Sequence, residues 1–100
     1  MNRTEYQEKC GCVVSAVLVK LDAYRVMPIE QMALKKDLWR ILDGVVRGKE
    51  ETFEAFDVVG AYRNELEVMG IGERKIEAIL DTLEAELKRA FYEDGNNYNN

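Results

Sequence analysis

Histidine is absent from this chain of 100 residues, and cysteine and proline are scarce, with two residues and one residue respectively. Without histidine the chain cannot form a Ser-His-Asp or Cys-His nucleophile system, or a mixed Cys/His zinc site. Two cysteines are also too few for a Cys₄ zinc or iron–sulfur site within one chain. The commonest catalytic and metal centres are thereby excluded, and we expect no enzyme activity, no cofactor and no bound metal.

Long hydrophobic runs are missing as well. The most apolar stretch, residues 10–21, is interrupted by Lys20 and closed by Asp22, well short of the ~20 residues that a spanning helix needs, and no signal-peptide pattern precedes it. Cys10 and Cys12 lie two residues apart, so on a helix they point roughly 200° away from each other and cannot form a disulfide together. We therefore expect a cytoplasmic protein that does not contact a membrane.

The charge is acidic and unevenly distributed. The net charge is −5, with nine basic and seven acidic residues in 1–50 but five basic and twelve acidic residues in 51–100. Such a balance lacks the basic footprint that drives binding to a phosphate backbone. Its simplest interpretation is a solubilising surface charge, and it favours another protein as partner over nucleic acid.

Apolar residues recur at spacings of three and four along most of the chain, which predicts amphipathic helices. We expect the first to begin in a capping box formed by Thr4 and Gln7, the second at Pro28, and the third after an N-cap at Thr52. Met32 is assigned to the apolar face of the second helix. The predicted helices span approximately 5–25, 28–47, 53–69 and 73–92, and a flexible tail follows at 93–100.

Four helices joined by short turns predict an all-α fold, a compact antiparallel bundle in one domain of residues 1–92. No internal repeat is evident. Gly60 inside the third helix would fit a close helix–helix crossing, although a glycine could also stand there by chance. A bundle of this size cannot bury all its aromatic side chains, so part of them is expected at a partner or homodimer interface. Trp39 is expected to anchor the core, and the candidates for partner contact are Trp39, Tyr62 and Tyr92.

One segment carries a motif with a physical mechanism. From Met69 to Ile79 the chain runs apolar-Gly-apolar-Gly and then opens a helix, which resembles the helix-hairpin-helix motif. In that motif the glycines permit a tight turn, and backbone N–H groups at the start of the second helix meet a DNA phosphate. The resemblance is confined to this segment, and the family's small residue at the helix crossing is Ile76 here. It implies a buried Ile71 and a nucleic-acid contact through Gly70, Gly72, Arg74 and Lys75.

A plainer interpretation of the same segment is a glycine-terminated helix. Gly70 would then be the left-handed residue after the helix, and Gly72 would be the N-cap of the next helix. Acidic residues also crowd this turn and disfavour a phosphate there. They are Glu65, Glu67, Glu73 and Glu77. A stripe of Glu73, Glu77 and Asp81 lacks the further ligands that a divalent cation needs.

These observations predict a small acidic helical module that binds another protein stoichiometrically, as an inhibitor, adaptor or assembly factor. Accessory proteins of phages and mobile elements offer an analogy. The first alternative is a nucleic-acid-binding module that uses the turn at Gly70–Gly72. The second is a self-assembling structural bundle that uses the narrow apolar seam of the last helix. A homo-oligomer is compatible with both alternatives.

Overall fold

The structure, a computed structural model, describes residues 2–48 and 55–93. Within these ranges the backbone is helical and contains no strand. The predicted all-α fold is therefore confirmed. The helices are α1 (Arg3–Ala23), α2 (Pro28–Gly48), α3 (Ala55–Val68) and α4 (Glu73–Lys88), and α4 continues into a π-helical turn at Arg89–Glu93.

The four helices stand at the corners of a square. Each helix packs against its neighbour in sequence, and α1 packs against α4 to close the bundle. Within the described residues the Cα atoms of α1 and α3, like those of α2 and α4, stay more than 8 Å apart. Because α2 and α4 lie on a diagonal, their outward faces point to opposite sides of the molecule.

The core is built from the residues that recur at three and four positions along each helix. No charged side chain is buried in the described part of the chain. Burying an aliphatic side chain of this size contributes roughly 1.5–3 kcal/mol, so this stripe is the main source of stability. The fully buried residues of the four helices include Val13, Val17, Leu21, Leu34, Leu38, Leu42, Val58, Tyr62, Leu66, Ile76, Ile79, Leu83 and Leu87.

The first helix begins two residues earlier than the sequence suggested. Asn2, not Thr4, is the N-cap: its side chain accepts a hydrogen bond from the backbone N–H of Glu5 at 2.8 Å, and the Glu5 carboxylate accepts one from the Asn2 backbone N–H at 3.1 Å. Asparagine caps at least as well as threonine, and glutamate adds a charge that the helix dipole favours. Pro28 is the first residue of α2, as predicted. The predicted N-cap Thr52 lies outside the described residues.

The turn between α1 and α2 contains a residue in the left-handed conformation. Arg25 has φ 63°. The N–H of Val26 donates to the carbonyl of Leu21 at 3.0 Å, and the N–H of Arg25 donates to that of Asp22 at 2.9 Å. This pair of bonds defines a Schellman ending, and the buried Val26 anchors it to the core.

The turn between α3 and α4 repeats that geometry. Gly70 has φ 79°. The N–H of Ile71 donates to the carbonyl of Leu66 at 3.2 Å, and the N–H of Gly70 donates to that of Glu67 at 2.9 Å. The prediction of Gly70 as the left-handed residue after the helix is confirmed, as is Gly72 as the N-cap of α4, which has φ −66° and ψ 151°.

The bundle is an internal repeat of two helical hairpins, which corrects the expectation of no repeat. Arg25 and Gly70 are 45 residues apart, and the same offset pairs the buried stripe of α1 with that of α3 and the stripe of α2 with that of α4. Few residues are identical, because the repeat preserves burial and turn geometry more than side chains. The identical pairs from residue 13 onward are Val13/Val58, Val14/Val59, Ala16/Ala61, Leu21/Leu66, Ala33/Ala78, Leu38/Leu83 and Leu42/Leu87.

Two further expectations are corrected. Gly60 is exposed, and a Cβ atom built there would meet no atom within 4 Å, so no close helix crossing explains it. The last helix does not stay α-helical to residue 92, because it widens into the π-helical turn from Arg89. There the carbonyl of Ala90 accepts a hydrogen bond of 2.7 Å from Lys9 Nζ. All but the first residue of the predicted tail at 93–100 lie outside the described part of the chain.

Candidate functional site

The turn at Gly70–Gly72 is sterically open. A Cβ atom at either glycine would meet nothing within 4 Å, and Gly72 offers no side chain to cap the first N–H groups of α4. These features suit a phosphate that approaches the backbone. However, Arg25 adopts the same geometry in the other turn, where Pro28 has no N–H to offer. The repeated geometry is therefore sufficient as a helix connection and does not by itself indicate a phosphate site.

A salt-bridge network lies beside this turn. The Arg63 guanidinium contacts the carboxylates of Glu77 at 3.0 Å, Glu73 at 3.1 Å and Glu67 at 3.6 Å. Its hydrogen bond holds the pKa of Glu73 below the ordinary value of 4.5, and the carboxylates in turn raise the pKa of Arg63. One cation among three exposed carboxylates leaves this side of the turn negative. Sequence reasoning missed Arg63, because its partners are brought to it only by the α3–α4 packing.

Of the two predicted phosphate-binding cations, one already has a structural partner. Lys75 and Arg74 are both exposed in the first turn of α4, and Lys75 Nζ donates to the carbonyl of Tyr24 at 3.2 Å. This bond ties the two hairpin turns together at one end of the bundle. Ile71 is partly buried against the core, as the resembled motif implies, and Ile76 is buried at the helix crossing.

The three aromatic candidates have different positions. Tyr62 is fully buried, and its hydroxyl donates to the carbonyl of Leu34 at 3.2 Å. Burial raises its pKa well above the ordinary value. Tyr62 is thus a core residue, which corrects its assignment as a partner contact. The side chain of Tyr92 lies outside the described part of the chain. Trp39 is half-buried and packs against the core, so it anchors the core and also keeps part of its ring at the surface.

A small open cleft of about 50 Å³ lies beside Trp39, between α1 and α2. Its walls include the rings of Tyr6 and Trp39, the aliphatic Leu42 and the thiol of Cys10. The Tyr6 hydroxyl donates to the carbonyl of Leu42 at 2.8 Å, which fixes this wall. Burial raises the pKa of Cys10 to about 11. A thiol that stays protonated is a poor nucleophile, so the cleft is suited to packing an apolar group.

Apolar side chains are exposed mainly at the end of the bundle that holds both turns. Met27, Ile29 and Met32 are 59%, 72% and 71% exposed around the start of α2, and Val68 at the end of α3 is 82% exposed. Val19 on α1 is 71% exposed. The assignment of Met32 to the buried face is corrected, because it precedes the buried Leu34 by two residues and so points away from the core.

The charges near the start of α2 have one sign at the surface. From residue 25 to residue 44, every charged side chain classed as exposed is basic, and the acidic ones are partly covered. Arg40 is paired with Asp37 at 3.3 Å and lies 3.7 Å from Glu65 of α3. The exposed set is Arg25, Lys35, Lys36 and Arg40.

No group of three or more His, Cys, Asp or Glu side chains in the described ranges is arranged to hold a metal ion. None of the helices described is both long enough and apolar enough to cross a bilayer. Comparison with protein-family models, with curated proteins and with solved structures gave no match. Any functional proposal therefore depends on the surfaces described above.

Proposed function

We propose that this chain is a small acidic helical module that acts by binding another protein stoichiometrically, as an inhibitor, adaptor or assembly factor. The observation that carries the proposal is the exposure of Ile29 and Met32 on the outward face of α2, beside the half-buried Trp39. A group of exposed apolar side chains beside an aromatic residue is typical of a protein interface, because methionine and aromatic residues are enriched there.

The energetics agree with this proposal. The chain already fills its core with aliphatic side chains, so exposed apolar residues on α2 add nothing to the packing of the bundle. Covering apolar area on a partner contributes roughly 25 cal/mol per Å², and two such side chains account for several tens of square ångströms each. As part of the same proposal the module acts in the cytoplasm, where its two cysteines, which are free in the structure, remain reduced.

The test is a capture experiment in the source cell. A tagged chain and its variant Ile29→Arg/Met32→Glu are cross-linked in parallel, and the captured proteins are quantified by mass spectrometry. We expect the unchanged chain to capture one protein in a molar amount close to its own. The variant should capture much less of that protein. If no protein is enriched over an unrelated acidic helical control, the proposed function is wrong.

A nucleic-acid-binding module remains the second candidate, and the open left-handed turn at Gly70 with the uncapped Gly72 is the observation that favours it. An electrophoretic shift with duplex and single-stranded DNA at ~50 and ~200 mM salt tests it, since phosphate contacts weaken as salt rises. The variant Arg74→Ala/Lys75→Ala should lose this affinity for all sequences. If no shift occurs at either salt concentration, this candidate is excluded.

Light scattering at ~100 μM tests the self-assembling bundle, which a strictly monomeric mass excludes.

A further inference from the structure

Four residues of α2 form one line along its surface. Ile29, Met32, Lys36 and Trp39 are spaced by three, four and three positions, which is the spacing of a helix-docking seam. We call these residues the α2 seam. The first three are exposed and Trp39 is half-buried. At 1.5 Å per residue the seam is about 15 Å long, and it ends at the apolar cleft beside Trp39.

The internal repeat shows that the fold does not require this seam. With the 45-residue offset between the hairpins, the equivalent positions of α4 are all charged and largely exposed. Each helix is the second of its hairpin, and the buried residues of α2, Leu34, Leu38 and Leu42, have buried equivalents in α4. The apolar character of the α2 seam is therefore not imposed by packing. The α4 residues at the seam positions are Arg74, Glu77, Asp81 and Glu84.

The charge around the seam specifies its partner further. Lys35 and Lys36 are exposed and, in the part of the chain that the structure describes, have no hydrogen-bond or ion-pair partner. Lys36 lies in the middle of the seam, between the apolar pair Ile29 and Met32 and the ring of Trp39, and Lys35 flanks the seam at the same height. A molecule of net charge −5 thus presents a locally basic and apolar strip, and electrostatic complementarity across an interface favours an acidic partner.

We propose that the α2 seam docks an acidic amphipathic helix of the partner protein. About three turns of that helix place apolar side chains on Ile29, Met32 and the cleft beside Trp39, and place carboxylates beside Lys35 and Lys36. This inference rests on the proposed function and specifies the chemistry of its partner. Recognition of this kind, a helix laid along an apolar groove with flanking charges, needs only side chains that the surface already presents.

Other occupants match only part of this surface. A phosphate backbone would leave Ile29 and Met32 uncovered. An anionic membrane would meet the surplus of carboxylates elsewhere on the protein. A second copy of the chain offers carboxylates without an exposed large apolar side chain on the described part of its α4. Its own α2 seam offers apolar side chains, but brings lysines against Lys35 and Lys36. An acidic amphipathic helix satisfies both the apolar and the basic residues.

The probe is a synthetic helical peptide of roughly 18 residues, long enough to be helical in water. It carries leucine at seam spacing and glutamate on both sides of the leucines. A matched peptide carries lysine instead of glutamate, and a third keeps glutamate but has alanine instead of leucine. The readout is the fluorescence of Trp39, the only tryptophan of the chain, during titration at two salt concentrations. We expect saturable binding of the first peptide and at least tenfold weaker binding of the other two.

Variants of the full chain locate the contact. Ile29→Arg/Met32→Glu introduces the residues that α4 itself carries at these positions, so it should fold with an unchanged melting temperature and bind the peptide at least tenfold more weakly. Lys35→Glu/Lys36→Glu should weaken binding, and the residual binding should increase with salt because salt screens the new repulsion between carboxylates. The matched control is Val19→Arg/Val68→Glu, which removes two apolar residues of similar exposure away from the seam. It should bind like the unchanged chain.

The outcomes separate this inference from the proposed function. Equal binding of the glutamate and lysine peptides, or equal loss in the control variant, overturns the inference. The inference is also overturned if Trp39 fluorescence responds to phosphatidylserine vesicles or duplex DNA and not to the acidic peptide. It is overturned, too, if the unchanged chain and the control variant form a dimer that the Ile29→Arg/Met32→Glu variant does not form. If a protein is captured from the cell equally by this variant and by the unchanged chain, the module has a partner that binds elsewhere. The seam proposal then fails although protein binding stands.

Discussion

Replacing Arg25 with glycine should stabilise the protein. Arg25 has φ 63°, and an L-residue in this left-handed conformation costs roughly 1–2 kcal/mol. Glycine removes that cost but has more freedom in the unfolded chain, which offsets about 0.4–1 kcal/mol. The net expectation is an increase of about 0.5–1 kcal/mol in the free energy of unfolding, or about 3–6 °C in melting temperature for a chain of this length.

The second hairpin supplies the reverse substitution. Gly70 occupies the position equivalent to Arg25 with φ 79°. Gly70→Val forces a β-branched side chain into the left-handed region and should lower stability by roughly 1–3 kcal/mol. Gly60→Ala is the control for glycine replacement as such. Because Gly60 is exposed inside α3 with open space around it, alanine should stabilise the helix by about 0.5–1 kcal/mol.

Urea denaturation followed by circular dichroism measures all three variants. The dependence of the free energy on urea should stay constant, so that shifts of the midpoint report stability. The reasoning is refuted if Arg25→Gly lowers the midpoint, because the left-handed strain would then be absent or outweighed by contacts of the arginine. It is equally refuted if Gly70→Val leaves the midpoint unchanged while Gly60→Ala raises it.

Three further predictions concern single side chains. Burial raises the pKa of Cys10 to about 11 while Cys12 is exposed, so a maleimide at pH 8 should label one thiol quickly, and two fast thiols would contradict the structure. Tyr62→Phe removes a buried hydrogen bond to a helix carbonyl and should cost about 0.5–1.5 kcal/mol, measured by thermal unfolding; no change would mean that the hydroxyl bond contributes nothing. Because Arg63 holds the pKa of Glu73 below 4.5, the stability that Glu73 contributes is present above this pH and is lost as the pH falls through the folded-state pKa. Arg63→Leu should reduce this part of the acid dependence, and a parallel pH profile for both proteins would argue against the network.

The helices and the turn between α3 and α4 follow from local sequence signals. Pro28 at the start of α2 and Gly70 after α3 were predictable because each has a backbone preference that suits only a few positions. The capping box of α1 was misplaced because two overlapping segments fit the same pattern. The chain uses Asn2 and Glu5, whose carboxylate interacts favourably with the helix dipole. Arg25 could not be predicted as a left-handed residue, since nothing in an arginine signals that conformation.

The surface was less predictable than the core. Met32 was assigned to the buried face because the apolar stripe of α2 is broad, and only the packing of α1 and α3 shows where that face ends. Tyr62 could not be distinguished from a surface tyrosine, since it is buried by the packing of α3 against α2 of the other hairpin, where a carbonyl accepts its hydroxyl. The repeat itself was hidden because burial and turn geometry are shared while most side chains differ.

The packing of α1 against α4 has a consequence for the order in which the bundle assembles. Within each hairpin, the helices are joined by a turn of a few residues, so their contacts close short loops and can form quickly. The joint between α1 and α4 instead brings together residues 81 positions apart, as in the hydrogen bond from Lys9 to Ala90. Tyr6 and Phe91 meet at the same joint with their ring centroids 5.3 Å apart. On loop-closure grounds we therefore expect the hairpins to form first and this joint to close last on folding.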